Sequence, residues 1–141
     1  MSLFDVFTIA GSALEAQSVR LNLTASNMAN ANNVAGSPEQ AYRARQPYFA
    51  PLLNAALRTA PGEAQSPGVH TLGVLENSAP PPRLYQPGHA LADKDGYVYG
   101  SNVNPIDELV NMISASRSYQ NNVEVLNTSK ELMLRTLTLG Q

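Results

Sequence analysis

Two hydrophobic stripes at helical spacing, one at each end of the chain, constrain this sequence more than anything between them. Leu3, Phe7, Ala10, Leu14, Gln17, Leu21, Thr24 and Met28 follow one another by alternating steps of four and three, and six of these eight are apolar. That is a coiled-coil-like seam sustained over about four heptads. Phe4, Ile9 and Ala13 widen the stripe, which gives the helix more than one neighbour. Ser2 suits the N-cap and Asp5 the positive end of the helix dipole. Asn30, Asn32, Asn33 and Gly36 stop the helix, and Pro38 marks the exit.

The other stripe runs Leu109, Met112, Ser116, Tyr119, Val123, Leu126, Lys130, Met133 and Leu137, with seven of nine apolar. Val110, Ile113, Val125, Leu132 and Leu134 add a second flank. Asn104 suits the N-cap. Pro105 suits the first helical position, where its missing N–H costs nothing. Asp107 and Glu108 bring negative charge to the first turn. Gly140 fits the position just past the end. At 1.5 Å per residue such a helix is roughly 50 Å long. A lone helix of that length with two apolar flanks needs partners, so the chain reads as an assembly subunit before it reads as an enzyme.

The middle has a different texture, since most of the ten prolines and nine glycines fall there. Residues 41–46 alternate with a period near two and suggest a strand, which Pro47 and Pro51 confine to a sheet edge. Residues 68–76 are a better strand candidate, Arg83-Leu84-Tyr85 a short one, and Tyr97-Val98-Tyr99 another after the turn signal Asp95-Gly96. Residues 54–68 carry no pattern and read as a mobile loop. The fold expected is mainly α with a small β or irregular middle. Long N- and C-terminal helices pack as a coiled-coil-like pair, with short strands or hairpins between them. Residues 1–33 and 104–141 supply the two helices of a core domain, and 34–103 a central hairpin and loop region.

Several chemistries are excluded. There is no Cys, hence no disulfide, thiolate zinc site or cysteine nucleophile. A net charge of -2 gives no electrostatic ground for binding nucleic acid. Charged residues are only 14% of the chain, against roughly a quarter in an ordinary soluble protein, which leaves surface that neighbours can cover without stranding ions. No segment approaches the roughly 18 apolar residues of a membrane span. The N-terminus lacks the basic region of a cleaved secretory signal.

Asp93-Lys94-Asp95-Gly96 resembles part of a calcium loop. With Gly96 at the sixth position, however, the first and twelfth ligands would be Leu91 and Asn102, so a hairpin turn is the better reading. His70 and His89 have no second ligand at metal spacing. No nucleophile elbow, phosphate-cradling loop or carboxylate pair is evident. The expectation is therefore no catalysis, no cofactor, no metal and no small-molecule substrate. The Asn-rich run 27–33 carries two readings. Asn27 and Asn30 either satisfy free backbone groups at a helix end or bond across a helix interface and fix its register.

The stretch Ser12-Ala13-Leu14-Glu15-Ala16-Gln17, with Leu21-Asn22-Leu23-Thr24-Ala25-Ser26-Asn27-Met28-Ala29-Asn30-Ala31, resembles the N-terminal signature of bacterial flagellar rod and hook axial proteins. Asn104-Pro105-Ile106-Asp107-Glu108-Leu109-Val110-Asn111-Met112 and its continuation through Tyr119-Gln120-Asn121-Asn122 are similar to that family's other end, and most similar to its proximal rod members. Tyr42-Arg43-Ala44-Arg45 and Tyr85-Gln86-Pro87-Gly88-His89 agree with the same assignment. Residues 47–68 and the three prolines at 80–82 depart from the pattern.

The resemblance implies a structural subunit, exported without a cleaved signal by the flagellar type III apparatus and polymerised into the tubular shaft that carries torque across the periplasm. It implies as partners further copies, other proximal rod subunits, the distal rod, the export-gate adaptor FliE and the export apparatus. The residues expected in helix packing and assembly are Leu3, Phe7, Leu14, Leu21, Asn27, Met28, Asn30, Leu109, Met112, Tyr119, Val123, Leu126, Met133 and Leu137. The alternative is a soluble helical-hairpin binding module without catalysis.

Overall fold

Each end of the chain folds into the helix that its hydrophobic spacing predicts. The structure is a computed structural model and describes residues 3–52 and 68–139. In order, the elements are α1 (Leu3–Asn30), β1 (Val34–Ala35), β2 (Arg45–Leu52), β3 (Gly68–Glu76), β4 (Arg83–Tyr85), β5 (Tyr97–Gly100) and α2 (Pro105–Leu139). The fold is mainly α with a small β middle.

Local chemistry sets the helix boundaries. At the start of α2, Asn104 Oδ1 accepts the Ile106 N–H at 3.1 Å, and Asn104 Nδ2 donates to Asp107 Oδ2 at 2.8 Å. The cap and first turn thus satisfy one another. At the end of α1, Asn30 Nδ2 donates to the Ser26 carbonyl at 2.8 Å, and Asn33 Nδ2 donates to Asn30 Oδ1 at 2.7 Å. The expected caps Ser2 and Gly140 lie outside the described residues.

The strands form two sheets, one ordered β1-β5-β4 and one pairing β2 with β3. β5 is central in the first and antiparallel to both neighbours, with Val34 opposite Gly100 and Leu84 opposite Val98. The two-residue β1 was not legible in the sequence, because so short a strand has no periodicity. The expected strand at 41–46 is displaced: residues 41–44 are irregular, and β2 begins at Arg45 and runs through Pro47 and Pro51. Those prolines are tolerated because each strand of a two-stranded sheet is an edge. The patternless loop expected at 54–68 lies outside the described residues except for Gly68, which begins β3. A Cβ there would stand 2.6 Å from Ser12 Oγ, the atom that accepts the Val69 N–H at 3.1 Å.

Asp95-Gly96 does turn the chain, but it does not close a two-residue hairpin. Tyr85 pairs with Tyr97, so the whole stretch 86–96 connects β4 to β5. Gly96 takes φ +81° and donates its N–H to the Asp93 carbonyl at 3.0 Å. Its neighbours Pro87 and Tyr85 stand 3.1 Å from where a Cβ would sit, so glycine is required on both grounds.

Two compact units emerge. One gathers the described parts of Met1–Val19, Tyr48–Gly73 and Ser114–Gln141, and the other gathers Arg20–Pro47 and Val74–Ile113. Both helices are therefore divided between them. The second unit holds the fully buried Val98 together with Ala41, Ala44 and Val103. The first buries Ala10, Ala16, Ala115 and Ser129.

Candidate assembly site

The second unit is organised around one side-chain amide. Asn27 is 1% exposed, and every hydrogen-bonding position of its amide is used. Its Nδ2 donates to the Arg45 carbonyl at 2.8 Å and to Glu108 Oε1 at 3.1 Å. Its Oδ1 accepts from Tyr42 Oη at 3.0 Å and from the Arg45 N–H at 2.9 Å. Toward Arg45 the amide behaves as a peptide group would in a β-ladder. Toward Glu108 it links α1 to the first turn of α2.

Asn102 performs the same service from the other side. Its Oδ1 accepts the Ala44 N–H at 2.7 Å, and its Nδ2 reaches the carbonyls of Asn77 at 3.3 Å and Ala79 at 2.9 Å. Asn77 N–H closes on the Ala44 carbonyl at 2.8 Å. The backbone around the buried Ala44 is thus satisfied by amide side chains and single loop bonds rather than by a strand. That is the physical reason the expected strand at 41–46 starts late. Outside this clasp, Arg45 pairs with Glu76 at 3.1 Å and lies over the Tyr42 ring, 5.6 Å from its centroid.

The helix pair in this unit is antiparallel: Asn27 bonds Glu108, while Arg20 Nη2, two turns earlier in α1, donates to Asn111 Oδ1 at 3.0 Å. On α1 the buried positions are Ala10, Ala16, Thr24 and Asn27, of which Ala10 and Thr24 lie on the expected stripe and Asn27 stands one place before Met28. On α2 the buried positions are Glu108, Ala115 and Ser129, each one place before Leu109, Ser116 and Lys130 of the expected stripe.

The expected packing residues consequently separate. Phe7, Leu14, Leu21, Met28, Met112, Val123, Leu126 and Met133 are half-buried beside the seam, and Asn27 lies in it. Asn30 is half-buried but bonds only locally, at the helix end. Leu109, Tyr119 and Leu137 are exposed in the single subunit, with 47%, 38% and 64% of their area open. Leu3 starts α1, and its side chain lies outside the described residues. Ile106, Leu109, Val110 and Ile113 together form an outward apolar stripe at steps of three, one and three on the first turns of α2. Of these, Leu109 belongs to the expected stripe, Val110 and Ile113 to its second flank, and Ile106 to neither; helical spacing alone does not say which flank faces out.

The connection from β4 to β5 carries a carboxylate with a lowered pKa, Asp93. The Tyr97 N–H, bonded to Asp93 Oδ1 at 2.8 Å, holds the Asp93 carboxyl below its ordinary value of 3.8. The Asp95 N–H and the Arg83 charge add to this, and partial desolvation opposes it. Arg83 lies over Tyr97 at 4.3 Å, and Tyr85 meets Tyr97 edge-on at 5.2 Å. These contacts brace a sheet edge. His70 is exposed on β3, and His89 Nδ1 accepts the Leu91 N–H at 3.1 Å. Among the described residues no cluster of three His, Asp or Glu could hold a metal, and no helix is long and apolar enough to cross a membrane.

Comparison with known proteins bears on the same elements. The family model described as "Flagella basal body rod protein" matches residues 7–36, and "Flagellar basal body rod FlgEFG protein C-terminal" matches 94–139. The flagellar basal-body rod protein FlgC of Escherichia coli O6:H1 is 55% identical over 141 residues, covering all of both chains. Its counterpart from Salmonella typhimurium is 53% identical over the same span, again with both chains fully covered. That of Buchnera aphidicola subsp. Acyrthosiphon pisum is 41% identical, also over the full length of both.

Proposed function

The chain belongs to the FlgC family of flagellar basal-body rod proteins and is a structural, non-enzymatic subunit of that rod; from this premise we propose that the outward faces of its terminal helices are the surfaces that join it to its neighbours. One observation carries the reading: Ile106, Leu109, Val110 and Ile113 are between 47% and 72% exposed and contiguous on one face of α2. A monomer gains nothing by displaying such a stripe, whereas a subunit in a tube can bury it. At roughly 25 cal/mol per Å² of apolar area, a few hundred Å² per neighbour yields several kcal/mol before ordering costs.

The neighbours proposed are further copies, other proximal rod subunits, the distal rod and the export-gate adaptor FliE. Export through the flagellar type III apparatus would precede polymerisation into the torque-bearing shaft. The half-buried Phe7, Leu14, Leu21, Val123 and Leu126 flank the seam and offer further contact to those neighbours.

The test is complementation of a strain lacking the gene with Val110→Asp combined with Ile113→Asp. The expected outcome is loss of swimming in soft agar, with basal bodies that lack a complete rod in electron micrographs, while the purified variant melts like the parent. Normal motility would remove the stripe from the assembly surface.

A further inference from the structure

We infer that the hollow beside residues 39–45 is a carboxylate-binding socket whose occupant is the Glu131–Arg135 face of α2 from a second copy of this chain. The hollow encloses about 470 Å³ and lies wholly within the second unit, against residues 39–45 and 76. One side of it is already satisfied. Arg45 is held by Glu76 at 3.1 Å and lies over the Tyr42 ring, while Tyr42 Oη donates to Asn27. The other side is not. Arg43 is half-buried and Glu39 exposed, and neither side chain has a hydrogen-bond or ion-pair partner among the described residues. A guanidinium keeps its charge, so its partial burial has a solvation cost that nothing in the subunit offsets. Its planar fork takes a carboxylate through two parallel N–H···O bonds. Glu39 and Glu76 line the same hollow and repel a dianion such as phosphate. A single carboxylate accompanied by a cation is the ligand that fits.

α2 offers that combination at one place. Of its acidic and basic residues, only Glu131 and Arg135 stand one turn apart with opposite charge. Both are exposed, and neither side chain is bonded among the described residues. Glu39 and Arg43 are likewise four apart in the chain and opposite in charge. With Glu131 set on Arg43 and Arg135 on Glu39, four unpartnered charges are all answered. The two patches are different parts of one chain, so the contact is heterologous. It does not close within a pair, because each copy keeps a free socket or a free helix face for the next. Repetition of such a contact builds a ring or a helical polymer, and the inference therefore rests on the rod-subunit reading.

Charge exchange and cross-linking test it together. In a strain lacking the gene, complementation with Arg43→Glu or with Glu131→Arg is expected to lose swimming in soft agar, and the two substitutions combined in one chain to restore it. Glu131 is an exposed, unbonded helix position, so its variant folds as the parent does and the loss it causes is a loss of contact. The chain has no cysteine, so an introduced pair can be linked selectively. Gln40→Cys lines the socket, and Thr138→Cys lies one turn beyond Arg135; both positions are exposed and leave the four charges intact. A short bismaleimide added to isolated basal bodies is expected to give a ladder at multiples of the subunit mass from the double variant and none from either single one. Swimming by either charge variant alone would overturn the inference, as would a combined variant no better than the singles. A link confined to one chain, or made to a different component, would overturn it too. A strain that swims without the gene would sink the rod-subunit reading itself, and this contact with it.

Discussion

At the scale of single residues the sequence offered two asparagines of equal standing, and the structure separates them. Asn27 and Asn30 sit three apart on α1 in the same Asn-rich run. Only the former turns inward, where it meets Arg45, Tyr42 and Glu108. Asn27→Ala leaves the part-buried Arg45 peptide groups and the buried Glu108 carboxylate without this partner. At about 1–3 kcal/mol for each stranded group, a loss of about 3 kcal/mol or more is expected in urea denaturation. Asn30→Ala removes only bonds local to the helix end and should cost about 1 kcal/mol or less. Equal effects would show that the amide network is not what holds the unit. The Asp93 carboxyl gives a pH signature. Its folded pKa lies below 3.8, so its contribution is fully present above the ordinary carboxylate range and is lost as pH falls through the lowered value. Asp93→Asn should therefore reduce stability at neutral pH and flatten the acid limb of a stability profile measured by thermal melting. An acid limb identical to the parent's would assign the acid sensitivity elsewhere.

At the scale of elements, period and punctuation were read correctly where they were strong. The start of α2 follows from Asn104 and Pro105, and both side-chain bonds of that cap are present. Asn104→Ala is expected to cost about 1 kcal/mol, measurable as a lower urea midpoint with unchanged slope. A neutral result would mean that the helix start is fixed by packing alone. β3, β4 and β5 lie where alternation and turn residues put them. The expected strand at 41–46 was misplaced because period-two alternation says only that the chain is extended. It cannot say whether backbone groups meet a neighbouring strand or, as here, the amides of Asn27 and Asn102. On α2 the buried positions Glu108, Ala115 and Ser129 each precede one of the expected Leu109, Ser116 and Lys130, and apolar spacing alone does not choose between such neighbouring lines.

At the scale of the whole molecule, α2 displays large apolar side chains along its length, Ile106, Val110, Leu132 and Leu137 among them. The expected consequence is a gain of helix on polymerisation, with circular dichroism per residue stronger for assembled rods than for the free chain. Equal spectra would indicate that the helices are complete before assembly. The sequence by itself determined that two long helices flank a short-stranded middle, because periodicity, caps and prolines act locally and can be read residue by residue. It also carried the rod-family resemblance that full-length identity to relatives establishes. Tertiary structure alone decided which helix flank turns inward, that Asn27 rather than Asn30 bonds Glu108, and that residues 41–44 are held by side chains instead of a strand. Those outcomes depend on groups up to 91 positions apart in the chain meeting in space, and no local pattern encodes which distant partner an amide will find.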